Sequence, residues 1–298
     1  MTLHKLAIVQ ARMSSSRLPG KVMQDIVGQP MIWHVIQRAK QAQLVDQVVV
    51  ATTTDQSDDI LDLFCQKLGI PCYRGNLPDV LDRFYRAAVQ FHADVVIRLT
   101  ADCPLLDPDV VDRTVSIFLG NETAKHGLVK SQETFHEFLV AGPYDFAANR
   151  LPPPWQRTLP IGLDVEVCSV KALHRAWKEA DQLFQREHVM PYLYEGVDFS
   201  EPRLLQKSEW YIQANTTPRG FTVALLNHIP DYGALRWTVD TPADLEFVRR
   251  VYAHFKEQPG FDWQQVINLI KQEPELASIN ADVAHKTAFD VDQRSDHP

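Results

Sequence analysis

Short runs of β-branched and aliphatic residues alternate with amphipathic helical stretches through residues 1–119, and this alternation restricts the possible folds most strongly. Strands are predicted at residues 6–9, 45–51, 70–74 and 94–99. Helices are predicted at about residues 30–43, 57–68, 79–91 and 109–119. Such alternation gives a parallel, doubly wound sheet with right-handed crossovers and helices on both faces. The sequence therefore predicts an α/β fold whose strands end at one rim, where ligands of such sheets bind.

A polar loop follows the first predicted strand and carries both hydroxyls and positive charges. Serines occupy positions 14–16, the cations are Arg12, Arg17 and Lys21, and a Pro-Gly pair stops regular structure. Loop amides and hydroxyls donate hydrogen bonds to phosphates, while Arg offers a planar fork and Lys a point charge. The loop matches neither the P-loop motif nor the dinucleotide-binding motif. It is either a phosphate-binding loop or a solvated basic loop, and the motifs below favour the first.

Two aspartates, Asp102 and Asp240, follow the predicted strands 94–99 and 235–239. Because parallel strands end at one rim, Asp102 and the cationic loop can meet. One or two carboxylates together with phosphate oxygens suit Mg²⁺. The pattern suggests a nucleotide bound through Mg²⁺. The alternative is that Asp102 only forms a turn and that Asp240 only caps a helix.

Zinc and disulfide chemistry are not indicated by the sequence. The eleven histidines show no HxH or HExxH spacing, and the four cysteines form no CxxC pair. The cysteines are therefore expected to be small buried hydrophobic residues.

Residues 162–169 alternate strictly, so that Asp164 and Glu166 would share one face of a strand. This strand is either the wall of a site or a half-exposed strand with a solvated face, and the pattern alone does not separate the two. Further along the chain, residues 186–188 are expected to open a helix that Pro191 interrupts.

Composition excludes several classes of protein. A net charge of −8 provides no basic surplus for broad nucleic-acid binding, although local cations still suit one anionic ligand. No apolar run approaches the roughly 18 residues of a membrane span, and the first residues lack the features of a signal peptide. A cytoplasmic protein without nucleic-acid or membrane partners is expected.

One domain is predicted at residues 1–281, with a nucleotide-binding half at about 1–119 and an acceptor and dimerisation half at about 120–281. Residues 120–160 are polar and proline-rich and are interpreted as loops or an insertion, and 198–233 are irregular apart from two possible strands. The tail 282–298 is aperiodic and is expected to be loosely ordered.

Four motifs, in order, resemble the cytidylyltransferases that activate sugar acids. They are VQARMSSSRLPGKVMQDIVGQPMIWHVIQRA, RLTADCPLLDPDVVD, GLDVEV with REHVMPY, and LRWTVDTPADLEFVRRVY. The likeness is to the 3-deoxy-manno-octulosonate and acylneuraminate cytidylyltransferase type, and is closer still to the branch named for spore coat polysaccharide biosynthesis. It spans about residues 5–119, 143–195 and 235–256.

The resemblance implies a glycosyltransferase-A-like fold, Mg²⁺ as cofactor and CTP as donor. It assigns three groups of residues by position: nucleotide binding to Ala11, Arg12, Ser14, Arg17, Lys21 and Arg74; Mg²⁺ binding to Asp102 and Asp240; acceptor binding to Asp164, Glu166, Glu187 and His188. Lys21, Arg17 and Asp102 would carry catalysis by stabilising charge on the leaving pyrophosphate and positioning the metal. Whether His188 or a hydroxide on the metal takes the acceptor's proton is left open.

The implied reaction transfers CMP from CTP to a nonulosonate- or octulosonate-like sugar acid for surface polysaccharide or flagellin glycan synthesis, in a homodimer. Two alternatives are a nucleotide-sugar-dependent glycosyltransferase of the same fold and a non-catalytic nucleotide-binding protein. The first lacks its expected DxD motif, since TADCP stands there. Residues 120–142 and 203–233 look longer than in the family, which leaves the acceptor unidentified.

Overall fold

The computed structural model describes residues 2–120, 144–153, 155, 157–200, 205–206, 209–258 and 260–284. Its strands are β1 Lys5–Gln10, β2 Asp25–Ile26, β3 Gln29–Pro30, β4 Gln47–Thr53, β5 Cys72–Gly75, β6 Val95–Thr100, β7 Phe146–Ala148, β8 Glu166–Ser169, β9 Leu205–Gln206, β10 Trp210–Thr216 and β11 Thr222–His228. Its α-helices are α1 Met31–Gln41, α2 Asp59–Lys67, α3 Val80–Gln90, α4 Pro108–Phe118, α5 Val170–Glu179, α6 Leu183–His188, α7 Pro191–Tyr194, α8 Pro242–His254, α9 Trp263–Gln272 and α10 Glu275–Ser278. None of the helices in these ranges combines the length and apolar character needed to cross a membrane.

Nine of these strands form one central sheet in the order β5-β4-β1-β6-β8-β7-β11-β10-β9, and β2 and β3 form a separate hairpin. In the described part of the chain, seven of the nine strands run in one direction, because only β8 and β10 are antiparallel to their neighbours. The predicted mostly parallel sheet is therefore confirmed. The same sheet continues through both halves of the chain.

Helices cover both faces of this sheet, as predicted, and β1 is therefore buried on both sides. Ala7 and Val9 join a core cluster that contains residues of α1, α4, α8 and α9. Leu6 and Ile8, on the other face, join a second cluster with residues of α3 and α5. Alternate side chains of a strand point to opposite faces, so one short apolar run supplies both cores.

Strand order reverses beside β1, and this reversal places the site. The chain proceeds from β1 to β4 and β5 on one side, and then returns to β6 on the other side. A crevice at the carboxyl ends of β1 and β6 follows from that reversal. The loop after β1 and the turn containing Asp102 after β6 both lie there, as the sequence predicted.

The predicted strand 235–239 is wrong. Within residues 235–239, all of which the structure describes, one isolated bridge forms, between Ile161 and Arg236. The segment instead crosses Gly162 so closely that a Cβ there would lie 2.6 Å from the Thr238 nitrogen. Val239 then donates its N–H to the Asp102 carbonyl at 2.8 Å. The alternating apolar residues of this segment are accommodated by burial and by these backbone contacts, and residues 235–239 form no β-ladder.

Three local predictions also need correction. Strand β8 begins only at Glu166, so Asp164 precedes it. Residues 186–188 end helix α6 instead of opening a helix, because Val189 has φ 71° and Pro191 starts α7, where its missing N–H is not needed. The helix predicted at about 57–68 begins only at Asp59, and Asp58 before it makes no side-chain cap hydrogen bond.

The second half of the chain contains the two strands that the sequence suggested near residues 210 and 221, now β10 and β11. Of the predicted loops or insertion at 120–160, residues 121–143 lie outside the described residues, and the remainder is not all loop, because β7 Phe146–Ala148 lies in it. Of the tail predicted at 282–298, residues 285–298 lie outside the described residues. The division into two functional halves remains a prediction.

Candidate active site

The loop after β1 is hydrogen-bonded to the buried carboxylate of Asp58. Asp58 is 1% exposed, and its Oδ1 accepts the Met13 N–H at 2.7 Å. Its Oδ2 accepts the Thr52 hydroxyl at 2.9 Å and the Thr53 N–H at 3.1 Å. Gly20, in the left-handed region at φ 69°, donates its N–H to the Met13 carbonyl at 2.9 Å. The loop is therefore fixed before any ligand arrives.

A cavity of about 570 Å³ opens above this loop at the rim of the sheet. Eleven of the residues proposed from the sequence line it: Ala11, Arg12, Ser14, Arg17, Lys21, Asp102, Asp164, Glu166, Glu187, His188 and Asp240. The nucleotide-side and acceptor-side groups therefore share one cavity. In the part of the chain that the structure describes, six Arg or Lys side chains and five carboxylates line its walls.

The Lys21 ammonium joins the two predicted metal-binding aspartates. Its Nζ lies 2.6 Å from Asp102 Oδ2, 2.8 Å from Asp240 Oδ1 and 3.0 Å from the Val239 carbonyl oxygen. Burial would lower the pKa of Lys21, but the negative charges of Asp102 and Asp240 outweigh it and raise that pKa. Lys21 is therefore a fixed positive charge at neutral pH.

Asp240 is surrounded by cations on its second oxygen too. Its Oδ2 lies 2.8 Å from Arg17 Nη2 and 2.6 Å from Arg236 Nη2. Burial raises its pKa, but the charges of Lys21 and Arg17 and the hydrogen bonds from Lys21 and Arg236 lower it to about 2. Asp240 is thus ionised at neutral pH. Arg17 also contacts the end of the described chain, since its Nη1 lies 3.4 Å from the Ala284 carbonyl oxygen.

A buried network behind Asp240 fixes its orientation. Asp244 is 0% exposed; it accepts Arg236 Nε at 2.9 Å and the backbone N–H of Asp240 at 3.0 Å. Asn280, beyond α10, donates Nδ2 to Asp244 Oδ1 and to the Arg236 carbonyl, both at 2.9 Å. The C-terminal segment thereby supports Asp240 at the edge of the cavity.

Each carboxylate of the 162–169 segment, which was predicted to bind the acceptor, has an arginine partner. Asp164 lies 3.1 Å from Arg157 Nη2 and 3.3 Å from Arg150 Nε. Burial raises the pKa of Asp164, but these two positive charges lower it to about 2. Glu166 pairs with Arg98. This side of the cavity is thus lined by ion pairs between arginines and carboxylates.

The arginines of this wall and Arg236 were missed by sequence reasoning. Arg98 follows β-branched residues within the predicted strand. In the structure the antiparallel pairing of β6 with β8 places it opposite Glu166. Arg150 and Arg157 flank a proline-rich segment that the sequence presented as irregular. Their partners are set by tertiary contacts, so only an explicit pairing of β6 with β8 could have located one of them.

Arg74 is not among the residues that line this cavity. Its guanidinium lies 2.8 Å from the Thr53 carbonyl oxygen, 2.9 Å from the Asp55 carbonyl oxygen and 2.7 Å from Asp59 Oδ1. These contacts tie the end of β4 to the start of α2. Its role in nucleotide binding remains a prediction.

The site suits a metal bound jointly by protein and phosphate. Among the described residues no group of three or more His, Cys, Asp or Glu side chains could hold a metal ion. Asp102 and Asp240, however, already share one cation, the Lys21 ammonium. Two carboxylates converging on one positive charge fit Mg²⁺, which completes its shell with phosphate oxygens and water.

Comparisons with known proteins identify the family of the chain. The family model described as cytidylyltransferase matches residues 6–233. The spore coat polysaccharide biosynthesis protein SpsF of Bacillus subtilis is 27% identical over 92% of this chain and 96% of its own length. The 3-deoxy-manno-octulosonate cytidylyltransferase of Geobacter sulfurreducens is 33% identical, over 45% of this chain and 53% of its own.

A solved structure extends the likeness to the whole fold. The cytidylyltransferase from Leptospira borgpetersenii matches with a TM-score of 0.74 and 25% identity, covering 95% of this chain and 100% of that one. The family model covers well over half of the chain, and the fold and the cavity agree with it. The chain belongs to the cytidylyltransferase family and is a nucleotidyltransferase.

Proposed function

We propose that this enzyme transfers CMP from CTP to a nonulosonate- or octulosonate-like sugar acid, with Mg²⁺, and releases pyrophosphate. The observation that carries the proposal is the Lys21 ammonium between Asp102 and Asp240, directly beside the β1 loop. The similarity to a 3-deoxy-manno-octulosonate cytidylyltransferase and to a spore coat polysaccharide biosynthesis protein supports the acceptor class and a role in surface polysaccharide or flagellin glycan synthesis.

The triphosphate would bind on the side of the cavity formed by the β1 loop. Arg12, Ser14, Arg17 and Lys21 face it there, next to the backbone of Ala11. Nucleotidyl transfer needs little covalent chemistry from the protein, so these groups act by positioning phosphates and by offsetting charge on the departing pyrophosphate.

Asp102 and Asp240 would hold Mg²⁺. Among the described lining residues, the six cationic side chains are nearly balanced by five carboxylates, so these residues alone have little positive charge left for a triphosphate. Bound Mg²⁺ supplies that charge and polarises the phosphate under attack. Asp240, held by Arg236 and kept ionised by its neighbours, is prepared for this role.

The sugar acid would bind on the opposite side, against Asp164, Glu166, Glu187 and His188. The arginines paired with the first two carboxylates can receive the acid group of the acceptor. The paired carboxylates can accept hydrogen bonds from its hydroxyls. Both substrates would then lie within one cavity, which provides the proximity that in-line transfer requires. A homodimer in the cytoplasm completes the proposal.

The donor is tested by thermal stabilisation with Mg²⁺ and equal concentrations of CTP, UTP, ATP or GTP. A ligand that binds only the folded protein stabilises it by about 2.7 kcal/mol at one hundred times its Kd. We expect the largest rise in Tm with CTP. A rise with UTP alone would contradict the proposal and favour a uridylyltransferase or a glycosyltransferase.

The site is tested by Asp102→Ala, Asp240→Ala and Lys21→Ala. Pyrophosphate release should fall at least about a hundredfold, as when electrostatic groups are removed from other active sites. Circular dichroism should show retained folding. Lys5→Ala is the control, because its ammonium pairs with Asp46 at 2.6 Å outside the cavity. Normal turnover in all three site variants would refute the assignment.

A further inference from the structure

We propose that Lys21 and the divalent metal exchange places. In the nucleotide-free protein the Lys21 ammonium joins Asp102 to Asp240, and the metal and the nucleotide displace it together, so that the lysine moves onto phosphate oxygens. This inference rests on the proposed function, since it assumes a metal at these two aspartates.

The first argument is a count of donors. An ammonium has three N–H groups and no acceptor. Lys21 Nζ has three oxygen partners, one each on Asp102, Val239 and Asp240, at 2.6, 3.0 and 2.8 Å. Lys21 therefore cannot bind a phosphate in this position without giving up at least one of them.

The second argument is that the lysine is the movable part. The carboxylate of Asp240 is held by Arg236, which is itself anchored on buried Asp244. Asp102 is held through its backbone, because its carbonyl oxygen accepts the Val239 N–H at 2.8 Å and the Thr238 hydroxyl at 3.2 Å. A lysine side chain instead has a flexible four-carbon stem, and that of Lys21 is 11% exposed at the cavity.

The third argument is electrostatic. A divalent cation that approaches the two carboxylates without nucleotide must displace an ammonium that already has three oxygen partners. When nucleotide arrives, its phosphate oxygens accept hydrogen bonds from the lysine and also ligate the metal. Metal binding is thus disfavoured alone and favoured with nucleotide, which would keep the enzyme from being held in a metal-only state.

The test is a titration of the nucleotide-free protein with Mn²⁺, in which the free Mn²⁺ is measured by electron paramagnetic resonance. Lys21→Gln should bind Mn²⁺ about tenfold more tightly than the wild type, which corresponds to about 1.4 kcal/mol. Lys5→Gln removes the same charge from a lysine–aspartate pair outside the cavity and should match the wild type. Equal or weaker binding by Lys21→Gln would overturn the proposal.

A double variant locates the effect. Adding Asp240→Asn to Lys21→Gln should abolish the gain in Mn²⁺ affinity, because the exchange needs that carboxylate. If the gain persists, the tighter Mn²⁺ lies elsewhere and the proposal fails.

A measurement on the wild-type protein follows the lysine itself. The ¹⁵N resonance of the Lys21 ammonium, identified by its loss in Lys21→Gln, should stay in place with millimolar Mg²⁺ alone and shift when Mg²⁺ and CTP are added together. A shift with Mg²⁺ alone would overturn the proposal.

The Mn²⁺ titration contains neither nucleotide nor acceptor, so its outcome is independent of the proposed substrates. A gain in Lys21→Gln would stand even if the donor were UTP. CTP turnover with no gain would overturn the exchange and leave the proposed function intact.

Discussion

Replacement of Asp244 should damage both the stability of the protein and the orientation of Asp240. Asp244 is 0% exposed, and its carboxylate accepts six hydrogen bonds among the described residues, from Arg236, Asp240, Thr241 and Asn280. Asp244→Ala removes these acceptors at once. It also leaves the guanidinium of Arg236, which is 7% exposed, without its ion pair to Asp244.

The magnitude follows from burial. Removing one partner of a buried ion pair costs about 3–5 kcal/mol, because the remaining charge stays in a poorly solvated position. The free energy of unfolding, measured by urea denaturation, should therefore fall by that amount in Asp244→Ala. The same variant should need more Mg²⁺ for half-maximal pyrophosphate release, because Asp240 loses its support.

Glu246→Ala provides a matched control on the same helix. Glu246 pairs with Arg250 at 2.8 Å, but the two side chains are 48% and 55% exposed, and exposed pairs contribute about 0–1 kcal/mol. Equal losses of less than about 1 kcal/mol in both variants would refute the argument that the buried network orients Asp240.

Two further predictions concern pH and backbone contact. The arginines beside Asp164 lower its pKa from 3.8 to about 2. The stabilisation that follows is present above about pH 4 and is lost as the pH falls through 2. Across that interval the free energy of unfolding of the wild type, measured by urea titrations at a series of pH values, should fall by about 2 kcal/mol relative to that of Asp164→Asn. An unchanged difference would contradict the lowered pKa. Gly162→Ala should destabilise the protein more than Gly220→Ala: both glycines have positive φ, at 110° and 83°, but an added Cβ meets the Thr238 nitrogen at 2.6 Å in the first and nothing within 4 Å in the second. Equal values of Tm would show that the crossing at Gly162 is not tight.

The rim of the sheet was predictable because it depends on local periodicity and chain order. The apolar run that became β1 and the run that became β6 each carry a strand signal, and crossover handedness then places their ends together. Lys21 and Asp102 could therefore be predicted to meet, although they are 81 residues apart.

The partners of the site residues were less accessible to sequence reasoning. Asp58 lies at the start of the helix predicted at about 57–68, but its carboxylate accepts the Met13 N–H. Asn280 lies in a segment with no recognisable motif and reaches Asp244 only through the packing of the C-terminal helices. Residues 235–239 have strand periodicity, yet whether a ladder forms depends on the neighbouring backbone at Gly162, which no local pattern reports.

The most direct test of the proposed function is the product of the reaction itself. Purified protein is incubated with CTP, Mg²⁺ and a panel of nonulosonic and octulosonic acids, and the mixture is analysed by mass spectrometry with pyrophosphate measured in parallel. The account predicts a CMP–sugar-acid conjugate for at least one acid, equimolar with pyrophosphate and absent in Asp102→Ala. Hydrolysis of a UDP-sugar without turnover of CTP, or CTP binding with no conjugate from any acid, would contradict it.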